Sequence, residues 1–233
     1  MRLVALDTAT ESMAVGLADG DARLCRNAEG GPQASERLIP LVLALLAERG
    51  LTPADLQAVA FGQGPGAFTG LRTAVAVAQR LAFGLGCPVV PLDSLQVVAE
   101  DARAQAGGDA ATPFEVWVVM DARMDEAYVA HYRHDGSAWR TLRAPALADL
   151  PTLTAWWHAA PPVAVAGSGV EAFAARLPFG SAACWPRPAD RAAALLRLAV
   201  AAARGGLAVN ARDALPVYLR DKVALTTAER EAA

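Results

Sequence analysis

The chain has 233 residues, of which 54% are hydrophobic, and a formal net charge of −3. This length is sufficient for one large domain or two small ones. The acidic balance argues against a protein that binds nucleic acid by itself with high affinity, since such proteins usually carry a basic excess.

The distribution of apolar residues and cysteines argues against membrane and secreted proteins. The longest candidate for a membrane span, residues 73–90, is interrupted by polar residues, glycines and a proline, and falls short of about 20 apolar residues. The N-terminus lacks the apolar core and cleavage site of a signal peptide. Three widely spaced cysteines show no metal or disulfide spacing. We therefore expect a cytoplasmic protein with reduced thiols and no membrane association.

The first half of the chain predicts the order β-β-β-α-β-α-β-α. Strands are expected at residues 3–7, 13–18, 22–27, 57–61 and 88–91. Helices are expected at 35–49, from the turn at 62–72 to Gly84 or Gly86, and at 94–106, with Ser35, Thr69 and Ser94 as N-caps. Strands followed by helices in this way are typical of a mixed sheet with helices on its faces.

The second half begins this order again after a glycine-rich joint at residues 107–111. It predicts strands at 115–120, 127–131, 139–143, 163–166 and near Cys184, and helices at 150–158, 170–177 and 190–204. The repeated opening of three strands and a helix indicates an internal duplication. We therefore predict an α/β protein of two duplicated mixed-sheet domains, residues 1–106 and 112–220, and a flexible tail at 221–233.

The segment from Gly62 to Arg72 joins an apolar run to a helix and contains Gly64 and Gly66 on either side of Pro65. Glycine lets the backbone approach a ligand, and a helix N-terminus attracts anions, so a phosphate site is one interpretation. The other is a structural strand-to-helix turn that binds nothing. For this segment alone we favour the structural turn, because the spacing matches neither Walker A nor Gly-x-Gly-x-x-Gly.

Asp7 and Asp121 stand at the ends of equivalent strands in the two halves, beside Thr8 and Arg123 respectively. A carboxylate at a strand end, with hydroxyl groups in the turn, suits a Mg-phosphate site between two lobes. The alternative is a pair of Asx-turns that organise the hairpins. We expect no metal site formed by histidines, because His131 and His134 are three residues apart on a predicted strand and face opposite sides.

The predicted helix at 35–49 is apolar around most of its circumference, which is wider than one core-facing stripe requires. The next helix is rich in alanine and should pack closely. Two interpretations stay open: the helices are buried within their own domain, or the pair packs against the equivalent helices of a partner. The second interpretation assigns partner contacts to Leu38, Leu41, Val42, Leu45, Ala74 and Ala78.

Five segments, in chain order, carry a resemblance to a known family: residues 6–11 (LDTATE), 35–40 (SERLIP), 64–72 (GPGAFTGLR), 121–128 (DARMDEAY) and 216–220 (PVYLR). Together they resemble the TsaB (YeaZ) family of bacterial tRNA threonylcarbamoyladenosine biosynthesis proteins. The resemblance implies an actin-like, sugar-kinase/Hsp70-type (ASKHA) fold of two duplicated domains. The chain departs from the family at Ala34, where many members have a histidine, which argues against that histidine being essential.

The resemblance also implies a scaffold subunit rather than a catalyst. Such a subunit binds TsaD, which holds the metal and catalytic site, and acts with the ATPase TsaE. The assembly transfers a threonylcarbamoyl group to the adenosine next to the anticodon in tRNAs that read ANN codons, and tRNA is contacted only through the complex. The family further implies a homodimer when the chain is alone. The His-x-x-x-His metal pair of TsaD-like proteins is missing from this sequence.

The competing hypothesis is an independent actin-fold ATPase or small-molecule kinase that uses Asp7 and Asp121 to hold Mg-ATP. Against it, Asp7 is followed by Thr8-Ala9-Thr10 and not by glycines that would admit a phosphate. We therefore expect no cofactor on the chain by itself, with ATP or ADP at the partner interface as the remaining option. The candidate nucleotide contacts are Asp7, Thr8, Gly64, Gly66, Arg72, Asp121 and Arg123.

Overall fold

The computed structural model describes residues 1–107 and 111–220. The predicted tail at 221–233 and the centre of the predicted joint lie outside the described residues. The first half forms a five-stranded mixed sheet with the order β3-β2-β1-β4-β5. Its strands are β1 (Arg2–Asp7), β2 (Ser12–Asp19), β3 (Ala22–Glu29), β4 (Ala58–Gly64) and β5 (Val89–Asp93), and its helices are α1 (Ala34–Glu48), α2 (Phe68–Leu85) and α3 (Ser94–Gln105).

The second half forms a sheet of the same topology, with the order β8-β7-β6-β9-β10. Its strands are β6 (Phe114–Asp121), β7 (Glu126–His134), β8 (Trp139–Asp149), β9 (Ala164–Ala166) and β10 (Ala183–Trp185), and its helices are α4 (Leu150–Ala159), α5 (Gly169–Ala172) and α6 (Arg191–Arg204). In each half the first three strands are antiparallel and the last two join in parallel. The predicted α/β architecture of two duplicated mixed sheets with flanking helices is confirmed.

The first strand of each half is buried on both faces, because successive side chains point to opposite sides of a sheet. In β1, Val4 and Leu6 pack with α1 and α2. Leu3 and Ala5 pack on the other face with α6. In the second half, Val116 and Val118 pack with α3, whereas Trp117 and Val119 pack with α4. Each sheet is therefore covered by helices on both faces.

The two halves exchange a helix, which corrects the predicted domain boundaries. Helix α3 lies in the first half of the sequence, but its Leu95, Ala99 and Ala102 belong to the core of the second sheet. Helix α6 follows the second sheet, but its Leu195 and Leu196 belong to the core of the first. Residues 112–220 are therefore not a self-contained packing unit, and a boundary at 106 separates α3 from the sheet that it covers.

Several local predictions were wrong at helix ends. Helix α2 begins at Phe68, so Thr69 lies inside its first turn, and α1 begins at Ala34 without a side-chain cap at Ser35. The cap of α3 is Asp93, whose carboxylate accepts hydrogen bonds from the backbone N–H groups of Leu95 and Gln96. Helix α5 is a single turn where residues 170–177 were predicted to be helical. Among the described residues, no helix is long and apolar enough to cross a membrane.

Candidate functional site

A cleft of about 730 Å³ lies between the two halves. Its walls come from the β1–β2 turn, the start of α2, one side of α3, the β6–β7 turn and the segments at 185–191 and 217–220. This volume lies within the range of about 300–1,000 Å³ that is usual for small-molecule sites. Gly66, Asp121 and Arg123 line the cleft, whereas Asp7, Thr8, Gly64 and Arg72 do not.

Asp7 is fully buried and satisfied by groups of the chain itself. Its Oδ2 lies 3.1 Å from Nη2 of Arg191, which is also buried. Ser94 Oγ donates to the same oxygen at 2.9 Å, and the backbone N–H of Ala9 donates to Oδ1 at 2.6 Å. Both carboxylate oxygens are occupied and the charge is balanced by a guanidinium. These residues therefore do not fit a Mg-phosphate group, and the predicted role of Asp7 is replaced by a structural one.

Thr8 is structural as well. Its hydroxyl donates to the carbonyl oxygen of Gly70 at 2.6 Å, and the residue is buried. This bond joins the end of β1 to the first turn of α2. Thr8 therefore does not take the nucleotide-binding position that the sequence predicted.

The glycine-rich turn is made of glycines because the chain passes very close to itself. Gly64 has a φ of +114°, and a Cβ at this position would stand 2.7 Å from the carbonyl oxygen of Val217. A Cβ on Gly66 would stand 2.4 Å from the carbonyl oxygen of Ala9. Contacts this short exclude any side chain. The structure thus supports the interpretation of a structural strand-to-helix turn, although Gly66 still lines the cleft.

Asp121 and Arg123 form the opposite rim of the cleft. The N–H of Arg123 donates to Asp121 Oδ1 at 2.8 Å, and its guanidinium lies 3.4 Å from Asp121 Oδ2 and 3.2 Å from Glu11 Oε1. Arg123 thereby connects the β6–β7 turn to the β1–β2 turn of the other half. Both partners of the Glu11 contact are highly exposed, so this connection is weak.

The β6–β7 turn has a strained backbone. Arg123, Met124 and Asp125 have φ values of +66°, +58° and +58°, which non-glycine residues rarely adopt. Arg220 supports the turn: its Nη2 donates to the carbonyl oxygen of Ala122 at 3.0 Å and lies 2.7 Å from Glu126 Oε2. The C-terminal part of the described chain therefore fixes the shape of one wall of the cleft.

Arg72 does not line the cleft but packs against Phe68 and Tyr218, two aromatic residues that do. Its guanidinium carbon lies 3.9 Å from the ring centroid of Phe68. Its Nε donates to the hydroxyl of Tyr218 at 3.2 Å, and the Phe68 and Tyr218 rings are 5.0 Å apart. Arg72 therefore ties α2 to the last described segment and does not reach the cleft.

A buried polar contact behind the cleft joins the two sheets. The hydroxyl of Tyr132 on β7 donates to Asp93 Oδ2 at the end of β5. Burial raises the pKa of Asp93, and burial beside this carboxyl also raises the pKa of Tyr132. Sequence reasoning missed Asp93, Ser94, Tyr132 and Arg191 as parts of the site region, because their partners are 39 to 184 positions away along the chain.

Most of the residues of α1 and α2 that were predicted to contact a partner are buried within the first half. Leu38, Val42, Leu45, Ala74 and Ala78 are buried in the core of the first sheet, and Leu41 is half-buried. These five buried residues cannot contact a partner while the fold is intact, so their assignment is corrected. The large exposed apolar side chains of the pair are Ile39, Leu43 and Phe83, with 40%, 44% and 60% exposure. We call these three residues the outer α1–α2 face.

Within the described ranges, no group of three or more His, Cys, Asp or Glu residues is arranged to hold a metal ion. Two groups outside the cleft, Asp135 and His131, have pKa values lowered by their surroundings. Four hydrogen bonds from the 137–140 segment hold the pKa of Asp135 well below its usual range. Burial lowers the pKa of His131 despite its contact with Glu115.

Comparison with known proteins finds one matching family model and similar solved structures. A family model described as TsaD, tRNA N6-adenosine threonylcarbamoyltransferase, matches residues 30–179. A solved structure of YeaZ from Pseudomonas aeruginosa is 35% identical, with a TM-score of 0.81, and the match covers 94% of this chain and 99% of that one. Another, an uncharacterized protein with similarity to peptidase YEAZ from Pseudomonas aeruginosa, is 36% identical with a TM-score of 0.83 over the same shares.

Two curated relatives are tRNA threonylcarbamoyladenosine biosynthesis proteins TsaB. The protein from Escherichia coli is 36% identical over 136 residues, which are 58% of this chain and 56% of the relative. The protein from Haemophilus influenzae is 38% identical over 128 residues, which are 55% of this chain and 52% of the relative. The chain thus spans about half the length of the curated relatives it matches.

Proposed function

The chain belongs to the TsaB (YeaZ) branch of the TsaD family, and from this membership we propose that it acts in tRNA threonylcarbamoyladenosine biosynthesis as a non-catalytic subunit. The observation that carries the proposal is the likeness to YeaZ structures over 94% of the chain. In this role the chain binds a TsaD protein, works with TsaE in the bacterial cytoplasm, and meets tRNA only through the complex.

The arrangement at Asp7 supports a scaffold over an independent kinase or ATPase. Proteins usually hold Mg²⁺ with a bound nucleotide through one or two carboxylates together with the phosphates, so a kinase or ATPase would need such a carboxylate to be free. Here the carboxylate of Asp7 forms an ion pair with Arg191 and accepts a hydrogen bond from Ser94. The carboxylate of Asp121 accepts a hydrogen bond from the backbone N–H of Arg123. Any nucleotide of the complex is then expected at the interface with the partner, and Arg123, a predicted nucleotide contact, lines the cleft between the two halves.

The outer α1–α2 face is the surface that we assign to TsaD, and to a second copy of the chain when TsaD is absent. Ile39 and Leu43 are four residues apart and lie on one side of α1. Phe83 adds a large exposed ring on α2. Exposed apolar side chains on adjoining helices are typical of a surface that is covered in an assembly. The family relationship supplies the identity of the partner.

A binding titration with matched variants tests this assignment. Leu43→Asp or Phe83→Asp should weaken binding of TsaD by about 10-fold or more, since burial of an unpaired charge opposes the complex. The control is Leu142→Asp on β8, because Leu142 and Leu43 are both 44% exposed. The control should bind TsaD as the unmodified chain does. If all variants keep native circular dichroism and bind TsaD with equal affinity, the outer α1–α2 face does not bind TsaD.

A further inference from the structure

The last described residues connect the two halves along the cleft. The backbone N–H of Val217 donates to the carbonyl oxygen of Gln63, in the first half, at 2.7 Å. Arg220 Nη2 donates to the carbonyl oxygen of Ala122, in the second half, at 3.0 Å. Residues 217–220 all line the cleft. The chain that follows therefore begins at the wall of the cleft, from a segment that is bonded to both halves.

The walls of the cleft suit an uncharged, apolar occupant. Several large apolar side chains line the cleft and are only partly buried, so part of their surface stays uncovered: Phe68, Val98, Met120, Tyr128 and Trp185. The four arginines and four acidic residues that line the cleft balance one another in charge. An occupant gains free energy here by covering apolar surface, whereas a net charge on it has no matching excess in the walls.

The end of the chain contains a segment of this kind. Residues 223–228 (VALTTA) are uncharged, and all the charged residues after Arg220 lie outside this run: Asp221, Lys222, Glu229, Arg230 and Glu231. Val223 and Leu225 lie within about 10 and 17 Å of Arg220 along an extended chain, and their side chains would point to the same side. We propose that residues 223–228 dock in the cleft of their own chain, with Val223 and Leu225 against its apolar walls.

Docking of this segment would give the cleft a built-in competitor. The tether to Arg220 makes the contact intramolecular, so a modest affinity is sufficient to occupy the cleft. Any molecule that uses the cleft must then displace residues 223–228, and a partner that captured these residues would open it. Docking within one chain does not require TsaD.

The first test measures amide hydrogen exchange of the full chain by mass spectrometry. Docking should slow exchange in residues 223–228 by about 10-fold or more relative to a synthetic peptide of residues 221–233. Leu225→Asp places a charge against the apolar walls and should remove this protection. Ala232→Asp adds the same charge outside the uncharged run, as a matched control, and should keep it. Exchange in the unmodified chain at the rate of the free peptide would show the flexible tail expected from the sequence and overturn the proposal.

The second test asks where the protected segment lies. Trp185 is part of the cleft wall, so its indole N–H signal in ¹⁵N NMR reports on what covers it. The signal should shift in Leu225→Asp and stay in place in Ala232→Asp. An unchanged Trp185 signal in Leu225→Asp would overturn the proposal, because the segment would then dock elsewhere.

The third test separates docking within one chain from exchange between two copies. Hydrogen exchange is measured at two protein concentrations about 100-fold apart, and protection by the chain's own segment should be the same at both. Protection that appears only at the higher concentration would place the segment in the cleft of a second copy and overturn docking within one chain.

Discussion

The structural role of Asp7 leads to a sharp prediction for Asp7→Asn. This substitution keeps the size of the side chain but removes the charge that Arg191 faces. Asp7 is 0% and Arg191 3% exposed, so the guanidinium would remain buried without a counter-charge. Breaking a buried pair from one side costs about 3–5 kcal/mol, a large part of the about 5–15 kcal/mol that stabilises a typical protein.

Urea unfolding followed by tryptophan fluorescence measures this loss. The matched control is Asp125→Asn, which breaks the 2.6 Å pair with Arg176 at an exposed site and should change stability little. The double variant Asp7→Asn/Arg191→Met should lose less than the sum of the single changes, because the two sites are coupled. A loss below about 1 kcal/mol for Asp7→Asn would refute the structural role. Loss of a steady ATP turnover in that variant would favour the kinase hypothesis instead.

Three further predictions test local parts of the account. Gly66→Ala should destabilise the fold in thermal unfolding, because its Cβ would stand 2.4 Å from a carbonyl oxygen. Gly84→Ala, with open space around it in α2, should raise the free energy of unfolding by about 0.5–1 kcal/mol. The reverse order of stability would contradict the close packing of the glycine-rich turn. Leu38→Asp should prevent folding, as judged by circular dichroism, while Ile39→Asp should not; two folded variants would contradict the assigned faces of α1. Because burial raises the pKa of Asp93 in the folded state, the free energy of unfolding should fall as pH rises from about 4, the pKa of an unfolded aspartate, through the folded pKa. Asp93→Asn should flatten this part of the curve when urea unfolding is measured against pH. An unchanged slope in the variant would contradict the raised pKa of Asp93.

Much of the fold could be predicted because it is encoded locally. The first strand of each half is a short apolar run, and the turns that follow contain glycine or other turn residues. The duplication was visible because the strand–strand–strand–helix opening occurs twice. Helix exchange was not visible: α3 and α6 are apolar enough to cover either sheet, and the choice depends on contacts between distant residues.

The candidate site was harder to predict for the same reason. The sequence predicted a Mg-phosphate role for Asp7 and gave no sign of its pairing with Arg191, which lies in the first turn of α6, where an arginine after a capping Asp190 is unremarkable. The glycine-rich turn gave an ambiguous signal, since glycines that admit a phosphate and glycines that admit a neighbouring backbone look alike. On α1, a wide apolar surface could not show which residues face inward, and the most buried ones were assigned to the partner.

Reconstitution of the tRNA modification tests the central claim most directly. The purified chain is combined with a bacterial TsaD, TsaE, the threonylcarbamoyl-AMP synthase, ATP and unmodified tRNA, and threonylcarbamoyladenosine is measured. We predict that the product disappears when the chain is omitted and is strongly reduced with Leu43→Asp, but not with Leu142→Asp. Equal modification with and without the chain would contradict the scaffold role.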